Sequence, residues 1–376
     1  MIVKLGDVAS YINGYAFKPS EWSDRGFPII RIQDLTGNSY QMNRFNGEID
    51  SKYKVLDGDV LISWSASLGI YVWHGEDAVL NQHIFKVVFD KEDVLKEFFI
   101  YQMENILQNA SSQVHGATMK HLTRSIFNAL PFVLPSKDEQ RKIASVLNNV
   151  SKLIAEHKTQ LRLLDELVKS RFIELFGDPL IEDDRYPRVP LGSLAEVGSS
   201  KRIFEKEYVS EGIPFYRTKE IVELSKGNRI TTELFITKQR YDEIRSEYGA
   251  PQKGDLLISA VGTIGVIWIV DGKNDFYFKD GNLLRMSATE KFVPEYLKHL
   301  LEALIRAYKS EMSSGTAYAA LTISALKEMM VYDVPHAEQE QFAAFVKQTD
   351  KSKLAVQKSL DELETLKKLL MQQYFG

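Results

Sequence analysis

Apolar positions follow two regimes that succeed one another twice along the chain. In the first, brief β-branched and aromatic runs are bounded by Gly, Asp or Asn, which predicts strands over 29–32, 60–63, 70–73 and 84–89. Amphipathic helices are predicted next, over 94–107 and over 294–310, the latter opened by Pro294. The uncharged stretch 256–270 is shorter than the ~20 residues of a membrane helix and is interrupted by Gly262 and Gly265, so it reads as strand, turn, strand. Trp64, Trp73 and Trp268 sit in strand-like stretches and are expected in cores.

In the second regime neither Gly nor Pro occurs from 136 to 176, and apolar residues recur at three- and four-residue steps. Ile143, Val146, Val150, Leu153, Leu161, Leu164, Val168, Phe172 and Leu175 form the expected seam of a long helix. Ser136 and Glu139 stand at the capping-box spacing at its start. Phe342, Phe345, Leu354, Val356, Leu360, Leu363, Leu366 and Leu370 repeat the pattern near the end of the chain. A lone amphipathic helix cannot cover its own stripe, but two related ones can cover each other, most simply as an antiparallel pair. The expected class is α+β, with a division at 1–135 (globular), 136–176 (helix), 177–335 (globular) and 336–376 (helix).

The two halves are related residue by residue. Val3-Lys4-Leu5-Gly6-Asp7-Val8-Ala9 returns 186 positions later as Val189-Pro190-Leu191-Gly192-Ser193-Leu194-Ala195, and Gly26-Phe27-Pro28-Ile29-Ile30-Arg31 returns as Gly212-Ile213-Pro214-Phe215-Tyr216-Arg217. Gly58-Asp59-Val60-Leu61-Ile62-Ser63 matches Gly254-Asp255-Leu256-Leu257-Ile258-Ser259 at 196, so the second copy gains ten residues in between. Leu122-Thr123 and Glu139-Gln140 recur at 199 as Leu321-Thr322 and Glu338-Gln339. A collinear series of this kind indicates duplication.

Composition narrows the chemistry. With no cysteine, disulfides, thiolate nucleophiles and Cys-ligated zinc are excluded together, and a reducing cytoplasm is the compartment that fits. Net charge is −4, and 1–135 (12 basic, 15 acidic) and 177–335 (21 basic, 24 acidic) are each acidic. Any basic surface is therefore a local patch. No adenine-methyltransferase tetrad, no G-x-x-x-x-G-K-[ST] loop and no His-x-x-x-His pair occurs, so no catalytic or metal-binding residue is assigned. The one Glu-x-Lys, Glu156-His157-Lys158, lies inside the first predicted long helix.

These landmarks in this order resemble the specificity subunit of type I restriction-modification enzymes. The resemblance spans the chain and rests on the Leu-Gly openings, the Pro28-Ile29-Ile30-Arg31 run, the duplicated Gly-Asp strands, Asn81-Gln82-His83, and Gly116-Ala117-Thr118-Met119-Lys120-His121-Leu122-Thr123 followed by Leu134-Pro135 and Glu139-Gln140. It implies two tandem target-recognition domains with pseudo-twofold symmetry, separated by an antiparallel coiled coil. Each domain would read half of a split, asymmetric target on double-stranded DNA. The helices would set the spacing and dock two modification (methyltransferase) subunits, with restriction (ATP-dependent translocase/nuclease) subunits joining them. S-adenosylmethionine, ATP and Mg would then belong to those partners, and this chain would hold no cofactor. The second copy departs from the pattern, because Ser314-Gly315-Thr316-Ala317-Tyr318-Ala319-Ala320 lacks the Lys-His pair.

Duplex readers place Lys, Arg and backbone amides on phosphates, and read bases by Arg to guanine and Asn or Gln to adenine. Asn81, Gln82 and His83 are candidates for base contact, or else turn-forming polar residues. Gly116, Thr118, Lys120, His121 and Arg124 combine small residues with cations and are expected at the DNA, with Gly315 and Thr316 as their second-copy counterparts. Lys201, Arg202, Arg217, Lys219, Lys226 and Arg229 form a basic cluster with two readings, phosphate contact or solvated surface. Arg31 and Arg217 hold equivalent places, which suits DNA contact and a structural salt bridge equally. A generic scaffold or adaptor that binds proteins rather than DNA is the alternative, and a self-contained restriction or methylation enzyme the third reading.

Overall fold

The computed structural model describes residues 1–38, 41–65, 67–113, 123–181, 185–312 and 320–376. They form two compact units: Met1–Lys158 with Lys358–Gly376, and Thr159–Gln357. Both units mix helix and sheet and share one plan.

In the first unit the main sheet is antiparallel, in the order Ser10–Asn13, Ile84–Val88, Val60–Ser63, Gly69–Val72. A smaller sheet orders Arg44–Phe45, Phe27–Ile30, Ala78–Leu80 and Lys54–Val55, with Phe27–Ile30 and Ala78–Leu80 parallel. Helices Lys96–Gln113 and Arg124–Ala129 bring Phe98, Phe99 and Phe127 onto Ile62 and Phe85 of the main sheet. The strand pair Ile2–Lys4 and Pro131–Val133 ties the start of the unit to the residues before the long helix.

The second unit repeats this with Val197–Gly198, Leu283–Met286, Leu256–Ser259 and Ile267–Ile269 in the main sheet, and Ile213–Tyr216 parallel to Tyr277–Phe278 in the smaller one. The stretch that holds its ten extra residues forms helices Thr218–Ser225 and Lys238–Tyr248, where the first unit has the single turns Ile32–Leu35 and Ser51–Tyr53. The Ile32–Leu35 turn corrects the strand expected through Ile32. The strand ends at Ile30 because the Asp34 carboxylate accepts the Arg31 N–H at 2.8 Å and curls the chain.

The duplicated landmarks are the joints of this plan. Leu5 and Leu191 are fully buried, and Gly6 and Gly192 press so closely on the following short helices that an added Cβ would meet Asn128 or Lys327 at 2.9 Å. Gly58 and Gly254 take φ of +85° and +89°. The Asp after each caps its turn, Asp59 accepting from the Leu56 N–H and Asp255 from the Gln252 N–H. Asp59 and Asp255 also meet Lys86 and Arg285 on the neighbouring strand, at 3.8 and 2.7 Å. The hydroxyls of Ser63 and Ser259 donate across the following turn to Ser67 and Thr263 carbonyls. Gly262 and Gly265, both at positive φ, form the turn expected between strands.

Each unit also contains part of both long helices, Lys137–Phe176 and His336–Phe375. Ser136 and Glu139 form the capping box, the Ser136 N–H donating to Glu139 and the Glu139 N–H to Ser136 Oγ. Within the first unit Leu147 packs with Met371, and Lys158 meets Glu364 at 2.7 Å; within the second, Asp165 meets Lys353 at 2.7 Å and the Phe172 ring lies 5.4 Å from Phe342. Numbers rise on one helix as they fall on the other, so the pairing is antiparallel in each unit. The seam differs from the expected one in phase: Val146, Leu153, Leu354 and Leu366 are exposed, and Ala144, Leu147, Val346 and Met371 are buried instead.

Gln140 and Gln339 fix the starts of these helices. The Gln339 carboxamide accepts the Val293 N–H (2.8 Å) and donates to the Val334 and Lys291 carbonyls (2.9 and 3.1 Å) at a fully buried site. Gln140 does the same with the Leu95 N–H and the Pro135 carbonyl. Gln339→Met keeps the volume and orphans these buried groups, so it should destabilise the protein by about 2–4 kcal/mol, since each buried unsatisfied group costs about 1–3; urea unfolding followed by circular dichroism measures it.

Candidate nucleic-acid interface

The parallel pair in the smaller sheet creates the site. Because Ile29 pairs with Val79 and Ile30 with Leu80, the next residues, Arg31 and Asn81, leave the sheet side by side, with the Asn81 N–H donating to the Ile30 carbonyl at 3.1 Å. Tyr15 joins them through its N–H on the Leu80 carbonyl (2.8 Å) and a bridge to Asn81. Its ring continues into an aromatic group, 4.9 Å from Phe17 and 5.7 Å from Tyr53, with Phe45 a further 5.2 Å from Phe17. Gln82 and His83 complete the turn; His83 is exposed, 5.7 Å from the Trp64 ring. Trp64, Trp73 and Trp268 are partly buried against core clusters, as expected, Trp64 donating its indole N–H to Asn13 and Trp73 to the Glu76 carbonyl.

The second unit has the same geometry with other side chains. Phe215 pairs with Tyr277 and Tyr216 with Phe278, and the Lys279 N–H donates to the Tyr216 carbonyl at 2.9 Å, which sets Lys279 beside Arg217. The Lys201 N–H donates to the Tyr277 hydroxyl at 2.8 Å, and the Lys201 ammonium lies over the Tyr248 ring, 4.7 Å from its centroid. Lys201 holds the place of Tyr15, and Lys279 that of Asn81. Where the first unit presents a phenol and an amide, the second presents two cations. Lys279 escaped the sequence reading, although its position after Tyr277-Phe278 mirrors that of Asn81 after Val79-Leu80.

The remaining candidates separate by what holds them. Arg31 is paired with Asp34 (3.4 Å) and Arg217 with Glu220 (3.0 Å), and both carboxylates are only 2% exposed. The Glu220 hydrogen bond raises the Arg217 pKa. Arg202 meets Asp280 at 2.7 Å, and Lys226 meets Glu223 at 2.9 Å. Hydrogen bonds from Lys226 and Asn228 depress the Glu223 pKa. Lys219 and Arg229 are exposed and form no ion pair among the described residues. Arg124 opens a short helix capped by Thr123 and donates to the Tyr11 carbonyl at 3.0 Å. Gly116, Thr118, Lys120, His121, Gly315 and Thr316 lie outside the described residues.

The sequence profile of the type I restriction modification DNA specificity domain matches residues 1–165 and again residues 185–365. The chain belongs to this family. Specificity subunits of the family are non-catalytic DNA-recognition subunits. Among its relatives, the EcoBI specificity subunit of Escherichia coli is 24% identical over 276 residues, covering 73% of this chain and 53% of its own. A putative type I restriction enzyme specificity subunit of Haemophilus influenzae is 27% identical over 305 residues, covering 77% and 75%. This chain thus spans about half the length of the first and three quarters of the second. The crystal structure of a type I restriction-modification S subunit from M. genitalium superposes with a TM-score of 0.57 at 15% identity, covering 100% of this chain and 96% of that one, so the fold is that of a specificity subunit.

The two classes of cation in this specificity-family chain should part in a stability measurement. Arg217→Ala leaves the Glu220 carboxylate buried without its guanidinium and should lower stability by about 1–3 kcal/mol. Lys279→Ala should stay within about 0.5 kcal/mol of the parent. Thermal unfolding of the two variants makes the comparison.

Proposed function

We propose that this chain is the subunit that reads a bipartite, asymmetric target on duplex DNA for a type I restriction-modification complex. Residues 1–135 and 177–335 act as the two readers, and 136–176 and 336–376 as the helical spacers that fix the gap and dock modification and restriction subunits. The observation that carries this reading is the pairing of a shared plan with unlike chemistry. Both units bring the ends of two parallel strands together; Asn81, bridged to Tyr15, follows them in one unit and Lys279 in the other, where Lys201, the sequence counterpart of Tyr15, is held on the Tyr277 hydroxyl. Amides suit adenine and cations suit guanine or phosphate, so like folds would read unlike half-sites. Arg31, Gln82, His83, Arg124, Arg202, Arg217, Lys219, Lys226 and Arg229 are the further candidate DNA contacts, with Gly116, Thr118, Lys120, His121, Gly315 and Thr316, all taken on sequence grounds.

In the cytoplasm, methyl transfer and ATP-dependent cleavage would belong to the partner subunits. No helix among the described residues is long and apolar enough to cross a membrane. The acidic balance of both globular stretches favours a second reading, a protein adaptor, and salt separates the two. A phosphate binder loses affinity steeply as salt rises, and an adaptor need not.

The deciding experiment selects from a random duplex library with the chain bound to its modification subunits. Two short fixed halves around a constant gap are expected; a stable protein complex that enriches no motif would favour the adaptor. Leu161→Pro interrupts the first long helix, at a cost of about 3 kcal/mol or more for an interior proline. The same selection should then return a weakened motif or one whose gap is no longer constant.

A further inference from the structure

Beside the strand-end group of the first unit lies a cavity of about 360 Å³ between the edge strand Ser10–Asn13, the Arg124–Ala129 helix and the Lys52-Tyr53 turn. Lys52, Lys91 and Arg124 line it together with Asn13 and Asn128, and among the described residues no carboxylate does. Two of the three cations are held by neutral groups. Lys91 Nζ donates to the Gly6 carbonyl at 2.6 Å, and an Arg124 Nη donates to the Tyr11 carbonyl at 3.0 Å. Each has N–H donors to spare. The third cation, Lys52, is ion-paired with Asp50 at 3.0 Å, and Asp90 accepts the Ser10 N–H at 3.0 Å. The Asn128 carboxamide oxygen is buried without a hydrogen-bond partner.

The fold does not need this arrangement. The second unit is built on the same plan, yet the places of Ser10, Tyr11, Arg124 and Asn128 are taken there by Glu196, Val197, Ile323 and Lys327. Lys91 and Arg124, two cations on one cavity with carbonyl partners, repel each other, and an anion relieves that repulsion.

We infer that this cavity seats a phosphoryl group, supplied by one strand of the DNA that passes the Arg31–Asn81–Tyr15 end of the smaller sheet. The inference rests on the DNA reading above. Phosphate oxygens accept hydrogen bonds from Arg124, Lys91 and Lys52. Tyr53 links the seat to the reading surface, because it lines the cavity and its ring lies 5.7 Å from Tyr15. The volume exceeds that of a single phosphate and leaves room for the flanking sugar and water. The first unit is thereby anchored on the backbone at a point where the second is not, which gives a duplicated protein a fixed orientation on an asymmetric site.

The test is the salt dependence of duplex binding by the chain in complex with its modification subunits, for the parent, Arg124→Ala and Lys91→Gln. Each variant is expected to bind all sequences about tenfold more weakly with base preference unchanged. The slope of log K against log[salt] should be shallower by about 1 for each cation removed from the phosphate. Arg124→Lys should restore most of the slope, and melting curves establish that the variants are folded. Parent-like slope and affinity in both folded substitutions would overturn the seat while leaving the DNA reading intact. A parent complex without salt-dependent duplex binding would sink the DNA reading itself, and with it the strand as the source. A second arm titrates inorganic phosphate against the full chain and follows its melting temperature. A rise in the parent that Arg124→Ala lacks supports a phosphoryl seat. A rise in the parent together with an unchanged DNA slope assigns the cavity to a free phosphorylated ligand and overturns the DNA strand as its occupant.

Discussion

An amphipathic helix 40 residues long cannot bury its own apolar stripe, and the rest of this architecture follows from how that constraint is met. The first compact unit is closed by a helical segment distant from it in sequence, and the second by the end of the helix that leads into it. In the first, Phe375 packs 5.5 Å from Phe98, and the Asn105 amide donates to the Phe375 carbonyl. In the second, Phe172 and Phe176 of the earlier helix surround Tyr296 and Phe342. Neither globular part has a complete core without both long helices, so the helices are structural members of the units as well as connectors. The buried carboxamides of Gln140 and Gln339 set where each helix departs.

Much of this was legible because the duplicated residues are those the fold uses twice. Leu-Gly marks a close approach of the opening turn to a short helix, Gly-Asp a left-handed turn closed by a carboxylate, and Glu-Gln the lock between two helices. Each is a local geometric demand that few residue types satisfy, so each survives as a readable motif. The helix seam was less legible. Apolar residues occur on both faces, as in the neighbours Leu153 and Ile154, and periodicity alone does not say which face meets the partner. Leu153 is 41% exposed and Leu354 73%, although both fit the repeat by spacing.

The site was legible only in outline, for a related reason. Residues shared by the two units are consumed by the plan, and Arg31 and Arg217 illustrate it: their equivalence reflects salt bridges to buried carboxylates. Under the proposed DNA reading, the residues that would determine a target are those that differ, and a repeat search passes over differences. Lys279 was missed in this way. Lys52 and Lys91 were missed because only the sheet edge and the Arg124–Ala129 helix bring them near Arg124.

The long-range closure of the first unit also orders events during synthesis. Every segment of the second unit is present once residues 159–357 have emerged from the ribosome. The first unit must wait, although it is made first. The Asn105–Phe375 hydrogen bond spans 270 residues, and until residues 371–375 are translated Phe98 and Tyr101 lack their partners Phe375 and Met371. Residues 371–375 therefore complete a core whose other members were translated some 270 residues earlier.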